Sequence, residues 1–144
     1  MVSPHLSFVF LLAAGSIVAA TLAGGCLSDA PAPDNQVIRT IPPDQASALI
    51  EENRENPNFV IVDVRGPDEF AAGHIPGAVN INSANFEEHI GSLDPEAVYL
   101  ICCQKGGRSA GVREMMREAG FSEVYEIEGG MSAWTAAGLP VVRD

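Results

Sequence analysis

The sequence predicts an α/β domain built on a largely parallel central sheet with helices on both faces. Strand-like and helix-like segments alternate from Gln36 to the C-terminal end, the pattern that produces a helix-covered parallel sheet. Two of the strand-like segments, residues 59–64 (FVIVDV) and 97–102 (AVYLIC), are continuous apolar runs. Such runs suit strands buried on both faces. Glycine or proline closes several of the helical segments, as Pro57, Gly73 and Gly120 do.

The elements follow in order. VIRTI (37–41) reads as a short apolar-rich strand. PPDQASALIEENREN (42–56) starts on proline and sets Ala46, Leu49 and Ile50 at helical spacing, ending before Pro57. FVIVDV is the first buried strand. PDEFAAG (67–73) is a short helix, AVNI (78–81) a short strand, and NFEEHIGSL (85–93) a helix. AVYLIC is the second buried strand, and SAGVREMMREAG (109–120) an amphipathic helix. VYEIE (124–128) and MSAWTAAG (131–138) supply the last strand and helix. Crossovers between parallel strands are expected to be right-handed.

The first 36 residues stand apart from this pattern. Leu6–Leu22 is an apolar run followed by AGGC, Ala23–Cys26. A small-residue cluster ending in cysteine resembles a lipoprotein signal, which is cleaved before a cysteine that then receives lipid. Leu is usual where Ala23 stands, and no Lys or Arg precedes the run. An uncleaved membrane anchor and a buried core helix are the other readings. The expected organisation is a signal peptide or anchor over 1–25, with Cys26 as lipidation site, a linker over 26–36 (Pro- and Asp-containing), and one domain over 37–143. The domain is then expected outside the cytoplasm, attached to the membrane through its N-terminus.

The chain has a formal net charge of -11, and seven of its eight basic residues are arginine. With no basic stripe to offset that charge, nucleic acid is excluded as a partner. Three cysteines, Cys26, Cys102 and Cys103, make no disulfide framework. Adjacent alpha carbons lie about 3.8 Å apart, short of the roughly 4.4–6.8 Å an ordinary disulfide spans, so Cys102 and Cys103 read as thiols.

In parallel sheets, ligands bind beyond the carboxyl ends of the strands. The segment AVYLIC–CQKGGRS leaves a buried strand, passes through a loop containing Gly106 and Gly107, and enters a helix near Arg108. Backbone amides from Gln104 to Ser109 are expected to converge there into an anion cradle, aided by the positive end of the helix. A cysteine at the base of that cradle is shifted towards thiolate, the nucleophilic form. Lys105, the only lysine in the chain, sits in the same loop. The alternative is a glycine-rich turn with buried structural thiols.

CQKGGRS (Cys103–Ser109) resembles the active-site loop of rhodanese-family sulfurtransferases, Cys-x-x-Gly-x-Arg-Ser. DVRGPDEFAAGHIPGAVNI (Asp63–Ile81) is similar to the family's Asp-Val-Arg, Glu-Phe, Gly-His-Ile and Gly-Ala-x-Asn signature. EGGMSAWTAAGLPV (Glu128–Val141) is similar to its closing Gly-Gly, Ala-Trp and Gly-x-Pro-Val pattern. The resemblance covers residues 37–143 and implies the three-layer rhodanese-like fold. It implies transfer of sulfane sulfur from thiosulfate or a persulfide donor to cyanide, a thiol or a protein sulfur acceptor, with no cofactor and no metal. Cys103 is then the sulfur-carrying nucleophile. Gln104, Lys105, Gly106, Gly107, Arg108 and Ser109 form the substrate cradle, with Arg108 and Lys105 facing an anionic donor. Asp63, Arg65 and Glu69 support the site, with Arg65 and Glu69 expected as a structural ion pair. His74 and Trp134 are expected to serve packing rather than chemistry.

Cys102 stands where the family more often has an aromatic residue. Counted from Cys103 the loop is Cys-x4-Arg, the sulfurtransferase length. Counted from Cys102 it is Cys-x5-Arg, which resembles dual-specificity phosphatases and arsenate reductases. Gly106 falls where the shorter pattern needs it, and Ile101 replaces the His that commonly precedes a phosphatase nucleophile. Cys103 is therefore preferred, with Cys102 either buried and inert or a resolving thiol. A sulfur carrier or binding module without turnover is a further reading.

Overall fold

The computed structural model describes residues 35–143. The segment expected as signal or anchor, Cys26 and most of the expected linker lie outside the described residues. The elements are β1 (Val37–Ile41), α1 (Pro43–Glu52), β2 (Phe59–Asp63), α2 (Pro67–Ala72), β3 (Val79–Asn80), α3 (Phe86–Ile90), β4 (Val98–Cys102), α4 (Gly107–Glu118), β5 (Glu123–Ile127) and α5 (Gly130–Ala136). The five strands form one sheet in the order β1-β5-β4-β2-β3, and every strand pair is parallel.

The strand order places the two sequence-evident apolar runs, β2 and β4, side by side in the middle of the sheet. Their register pairs Val62 with Ile101 and Asp63 with Cys102. Strand alternation then divides the core. Val62, Tyr99, Ile101 and Val124 pack on one face with Phe86 of α3 and with Val112 and Met116 of α4. Ile61, Leu100, Cys102 and Ile127 pack on the other with Ala46 of α1 and with Met131 and Trp134 of α5. Trp134 is a core residue, as expected, and its indole N–H donates to the Pro140 carbonyl at 2.8 Å. Among the described residues no buried side-chain nitrogen or oxygen lacks a hydrogen-bond partner.

Three elements are shorter than the sequence pattern suggests. The helix expected over 42–56 ends at Glu52. The helix expected over 85–93 is a single 3-10 turn at Ser83–Asn85 followed by the short α3. The strand expected over 78–81 pairs only at Val79 and Asn80. Ile81 and Ser83 then give their amides to the Asp63 and Val64 carbonyls, which carries the chain around the end of β2. A short edge strand also gives other chains little to pair with.

The N-terminus of α5 is seated directly on the loop that follows β4. Met131 N–H donates to the Cys103 carbonyl at 2.8 Å, and Ser132 N–H to the Gln104 carbonyl at 3.0 Å. This approach requires glycine at position 130. Its φ is +57°, and a Cβ there would lie 2.3 Å from the Cys103 carbonyl oxygen. Gly130→Ala is expected to cost about 2–4 kcal/mol from overpacking and left-handed strain, seen as an earlier midpoint in urea unfolding with an unchanged slope.

Candidate active site

The β4–α4 loop curls around one sulfur atom. Cys103 leaves β4 one residue after Cys102, so the two side chains fall on opposite faces of the sheet. Cys103 belongs to the face covered by α3 and α4, and Cys102 to the face covered by α1 and α5. The Gly106 N–H donates to Cys103 Sγ at 3.1 Å, and the Ser109 hydroxyl lies 3.3 Å from it. The amides of Lys105 and Ser109 also act on the sulfur. Gly106 adopts φ 101° as the N-cap of α4, a left-handed conformation that glycine tolerates at little cost. Gly107 begins the helix.

The two thiols have opposite electrostatics. Burial pushes the Cys103 thiol up. The hydrogen bonds from the Ser109 hydroxyl and from the Ser109, Lys105 and Gly106 amides more than offset it, and its pKa lies below the ordinary cysteine value. Burial pushes the Cys102 thiol strongly up, and the neighbouring Asp63 carboxylate adds to the rise. Cys102 is a buried thiol held in its neutral form.

The supporting residues are arranged differently from the sequence expectation. Arg65 does not pair with Glu69. Its Nε and Nη2 form a fork on Asp63, with contacts of 3.0, 3.0 and 2.7 Å. Nη2 also donates to the Gly73 carbonyl at 2.6 Å, and Nη1 to Gln104 Oε1 at 3.2 Å. Both Asp63 and Arg65 are buried, and a buried carboxylate demands a buried donor. Burial lowers the Arg65 pKa, but the Asp63 hydrogen bond and charge outweigh it and the guanidinium is held charged. Glu69, on the first turn of α2, is half-exposed and faces the loop. It takes a bidentate bond from Arg108, at 2.7 and 2.8 Å, and accepts from the Gly66 N–H at 3.2 Å. Arg108, chiefly, holds the Glu69 carboxyl down at about 2. The Arg108 guanidinium is raised in turn by Glu69 and by the Cys103 sulfur.

Gln104 serves as a fastener. Its side chain accepts from Arg65 and donates to Ser132 Oγ of α5 at 3.0 Å. Lys105 is exposed in the loop. His74 is buried, stacks on Phe70 with centroids 3.7 Å apart, and shares a hydrogen bond with the Phe70 carbonyl. Beside the loop a cleft of about 540 Å³ is lined by residues including Arg65, Glu69, Gly73, Gln104, Ser132 and Arg143.

Sequence reasoning missed one member of the site. Glu126 of β5 is buried, and its Oε1 lies 2.7 Å from the Ser109 hydroxyl. Its Oε2 is held by Arg113 of α4 at 2.7 Å and lies 3.3 Å from Thr40 Oγ1. The signal was present in VYEIE: alternation puts Glu126 on the same inward face as Val124, and a charge there needs a partner.

These features define a class: a parallel α/β domain whose central strand ends in an amide cradle around an activated cysteine. The rhodanese-like domain family matches residues 43–137. A thiosulfate sulfurtransferase GlpE from Pseudomonas putida is 37% identical over 98 residues, which is 68% of this chain and 86% of that protein. A rhodanese-related protein from Thermoplasma volcanium superposes with a TM-score of 0.63 at 30% identity, over 74% of this chain and 99% of that one. A Rhodopseudomonas palustris protein of unknown function, described as a possible tyrosine phosphatase, gives 0.65 at 31% identity, over 73% and 85%. The chain belongs to the rhodanese-like family.

The contrast between the thiols is directly measurable. Iodoacetamide at pH 6, read by peptide mass spectrometry of the native protein, should modify Cys103 and spare Cys102. A thiol whose folded pKa is depressed stabilises the fold above its unfolded value, near 9.0 for cysteine, and loses that contribution as pH falls through the folded value. The Cys103 labelling rate should therefore reach half its plateau below pH 9.

Proposed function

We propose that this rhodanese-type sulfurtransferase moves sulfane sulfur from thiosulfate or a persulfide donor to a thiophilic acceptor through a persulfide on Cys103. The observation that carries the reading is the single sulfur, Cys103 Sγ, held by loop amides with its pKa lowered. The Cys103 thiolate attacks the outer sulfur of thiosulfate. A sulfur–sulfur bond forms to Cys103, the bond within thiosulfate breaks, and sulfite leaves with the electron pair. Cyanide or a thiolate then attacks the outer sulfur of the persulfide, and Cys103 departs as thiolate, which the same amides stabilise. Lys105, exposed in the loop, provides positive charge for an anionic donor, and Arg108 is held over the same loop by Glu69. The relatives named as thiosulfate sulfurtransferases support this choice of donor.

The decisive experiment is thiocyanate formation from thiosulfate and cyanide, with peptide mass spectrometry of the loaded protein. Wild type should add about 32 Da (one sulfur) to the Cys103 peptide. Cys103→Ser should lose loading and turnover, at least a hundredfold, whereas Cys102→Ser should keep most of both. The relative described as a possible tyrosine phosphatase names the competing outcome. Hydrolysis of aryl phosphates without sulfur transfer, abolished by Cys102→Ser, would overturn the reading. Loading without turnover would identify a sulfur carrier.

For location, the reading is that Cys26 is the lipidated N-terminus of the mature protein, outside the cytoplasmic membrane. The apolar run Leu6–Leu22 followed by AGGC supports it. Mass spectrometry of the native membrane fraction should find an acylated Cys26 as first residue. An intact Met1 in the membrane fraction would replace the lipid with an uncleaved anchor, and a soluble cytoplasmic chain would remove both.

A further inference from the structure

We propose that Glu126 is a positioning residue that sets the reactivity of Cys103 by competing with its sulfur for the single proton of the Ser109 hydroxyl. The proposal rests on Cys103 being the reactive thiol. It adds a control element from β5 that the family motifs do not contain.

The argument begins with a count of protons. A serine hydroxyl has one proton to give and two lone pairs to receive. Three acceptors surround Ser109 Oγ: Glu126 Oε1 at 2.7 Å, the Gly106 carbonyl at 3.1 Å and Cys103 Sγ at 3.3 Å. The shortest contact is to a carboxylate, and charge-assisted bonds are the stronger ones. The Ser109 proton therefore lies towards Glu126 when Cys103 is a neutral thiol, and the thiol hydrogen meets a Ser109 lone pair. Once Cys103 ionises, its thiolate faces that lone pair unless the Ser109 proton turns to it. Turning costs Glu126 a hydrogen bond in a site where Glu126 is buried and has no water to replace it. Glu126 thus holds the thiol above the value that the amides and Ser109 would set by themselves. On sulfur loading the charge moves to the outer sulfur, and Ser109 is released to Glu126 again.

Arg113 makes the competition adjustable. It grips Glu126 Oε2 and also donates to Thr40, which lies beside the same carboxylate oxygen. That charge weakens the hold of Glu126 on the Ser109 proton. The other groups around the sulfur are fixed by separate partners. Arg108 of α4 is held by Glu69 of α2. Asp63 at the end of β2 and Arg65 just beyond it are paired with each other and act on Cys102. Lys105 lies in the loop itself, and α5 carries no charged residue.

The test is the pH dependence of iodoacetamide labelling at Cys103, resolved by peptide, in the full chain. Glu126→Gln should lower the midpoint and speed labelling at pH 6 about threefold to tenfold, since one pKa unit is tenfold in thiolate. Ser109→Ala should raise the midpoint. The double variant should match Ser109→Ala, because Glu126 acts only through Ser109. Arg113→Gln, at a partly exposed position, should shift the midpoint up, and this rise should shrink in the Ser109→Ala background. That variant keeps the proposal testable if Glu126→Gln does not fold. An unchanged or raised midpoint in folded Glu126→Gln overturns the proposal, and so does an equal effect of Glu126→Gln with and without Ser109. Preferential labelling of Cys102 in wild type would sink the functional reading together with it; a Cys103 midpoint indifferent to Glu126 sinks this proposal alone.

Discussion

The architecture of the site depends on one buried guanidinium. Arg65 is 4% exposed and binds Asp63 at the end of β2, the Gly73 carbonyl after α2, and Gln104 in the loop after β4. Three separate segments meet on one rigid donor fork. Burying such a charge is tolerable only because Asp63 is buried beside it and each of its three nitrogens has an acceptor. From this point outward, Gln104 passes the constraint to Ser132 of α5, and the Met131 and Ser132 amides fix the loop carbonyls. The Gln104 carbonyl is thus held from outside while the Lys105 amide of the same peptide unit faces Cys103.

The parallel register turns this frame into selectivity between two adjacent cysteines. Asp63 is opposite Cys102, and its carboxylate disfavours a second negative charge there. One residue further along, the chain turns out of the strand and Cys103 meets amides instead. The same few ångströms of backbone thus suppress one thiolate and favour the other. A disulfide or resolving role for Cys102 would require the sulfur to cross from one side of the sheet to the other.

Most of the fold was legible because the chain writes its periods clearly. FVIVDV and AVYLIC are unbroken apolar runs, and they became the central pair β2 and β4. AVNI and NFEEHIGSL were overread, because local pattern could not show that the Ile81 and Ser83 amides would turn towards β2. The loop residues were legible from their order along the chain. The ion pairs were not. Arg65 has two carboxylates close by in the chain, Asp63 two residues before it and Glu69 four after, and order along the chain does not show which is buried. Burial decided the pairing: the carboxylate with no water took the guanidinium with no water, and the exposed Glu69 was left to Arg108. Glu126 escaped notice for a related reason. Its partners Ser109 and Arg113 lie on another element, and only the β4–β5 crossover through α4 brings them within reach.

A chain with a formal net charge of -11 is an unpromising host for a thiolate, and the structure shows how the two are reconciled. Long-range repulsion is screened by salt over about 8–10 Å, whereas the hydrogen bonds on Cys103 act at about 3 Å. The arginines nearest the site each carry their own carboxylate: Arg65 with Asp63, Arg108 with Glu69, Arg113 with Glu126. The pairs contribute geometry more than net charge. What stabilises the anion is a set of dipoles, the Ser109 hydroxyl and the Ser109, Lys105 and Gly106 amides, oriented before any substrate arrives. An acidic exterior and an anion-loving loop are therefore compatible in one small domain, because they operate on different lengths.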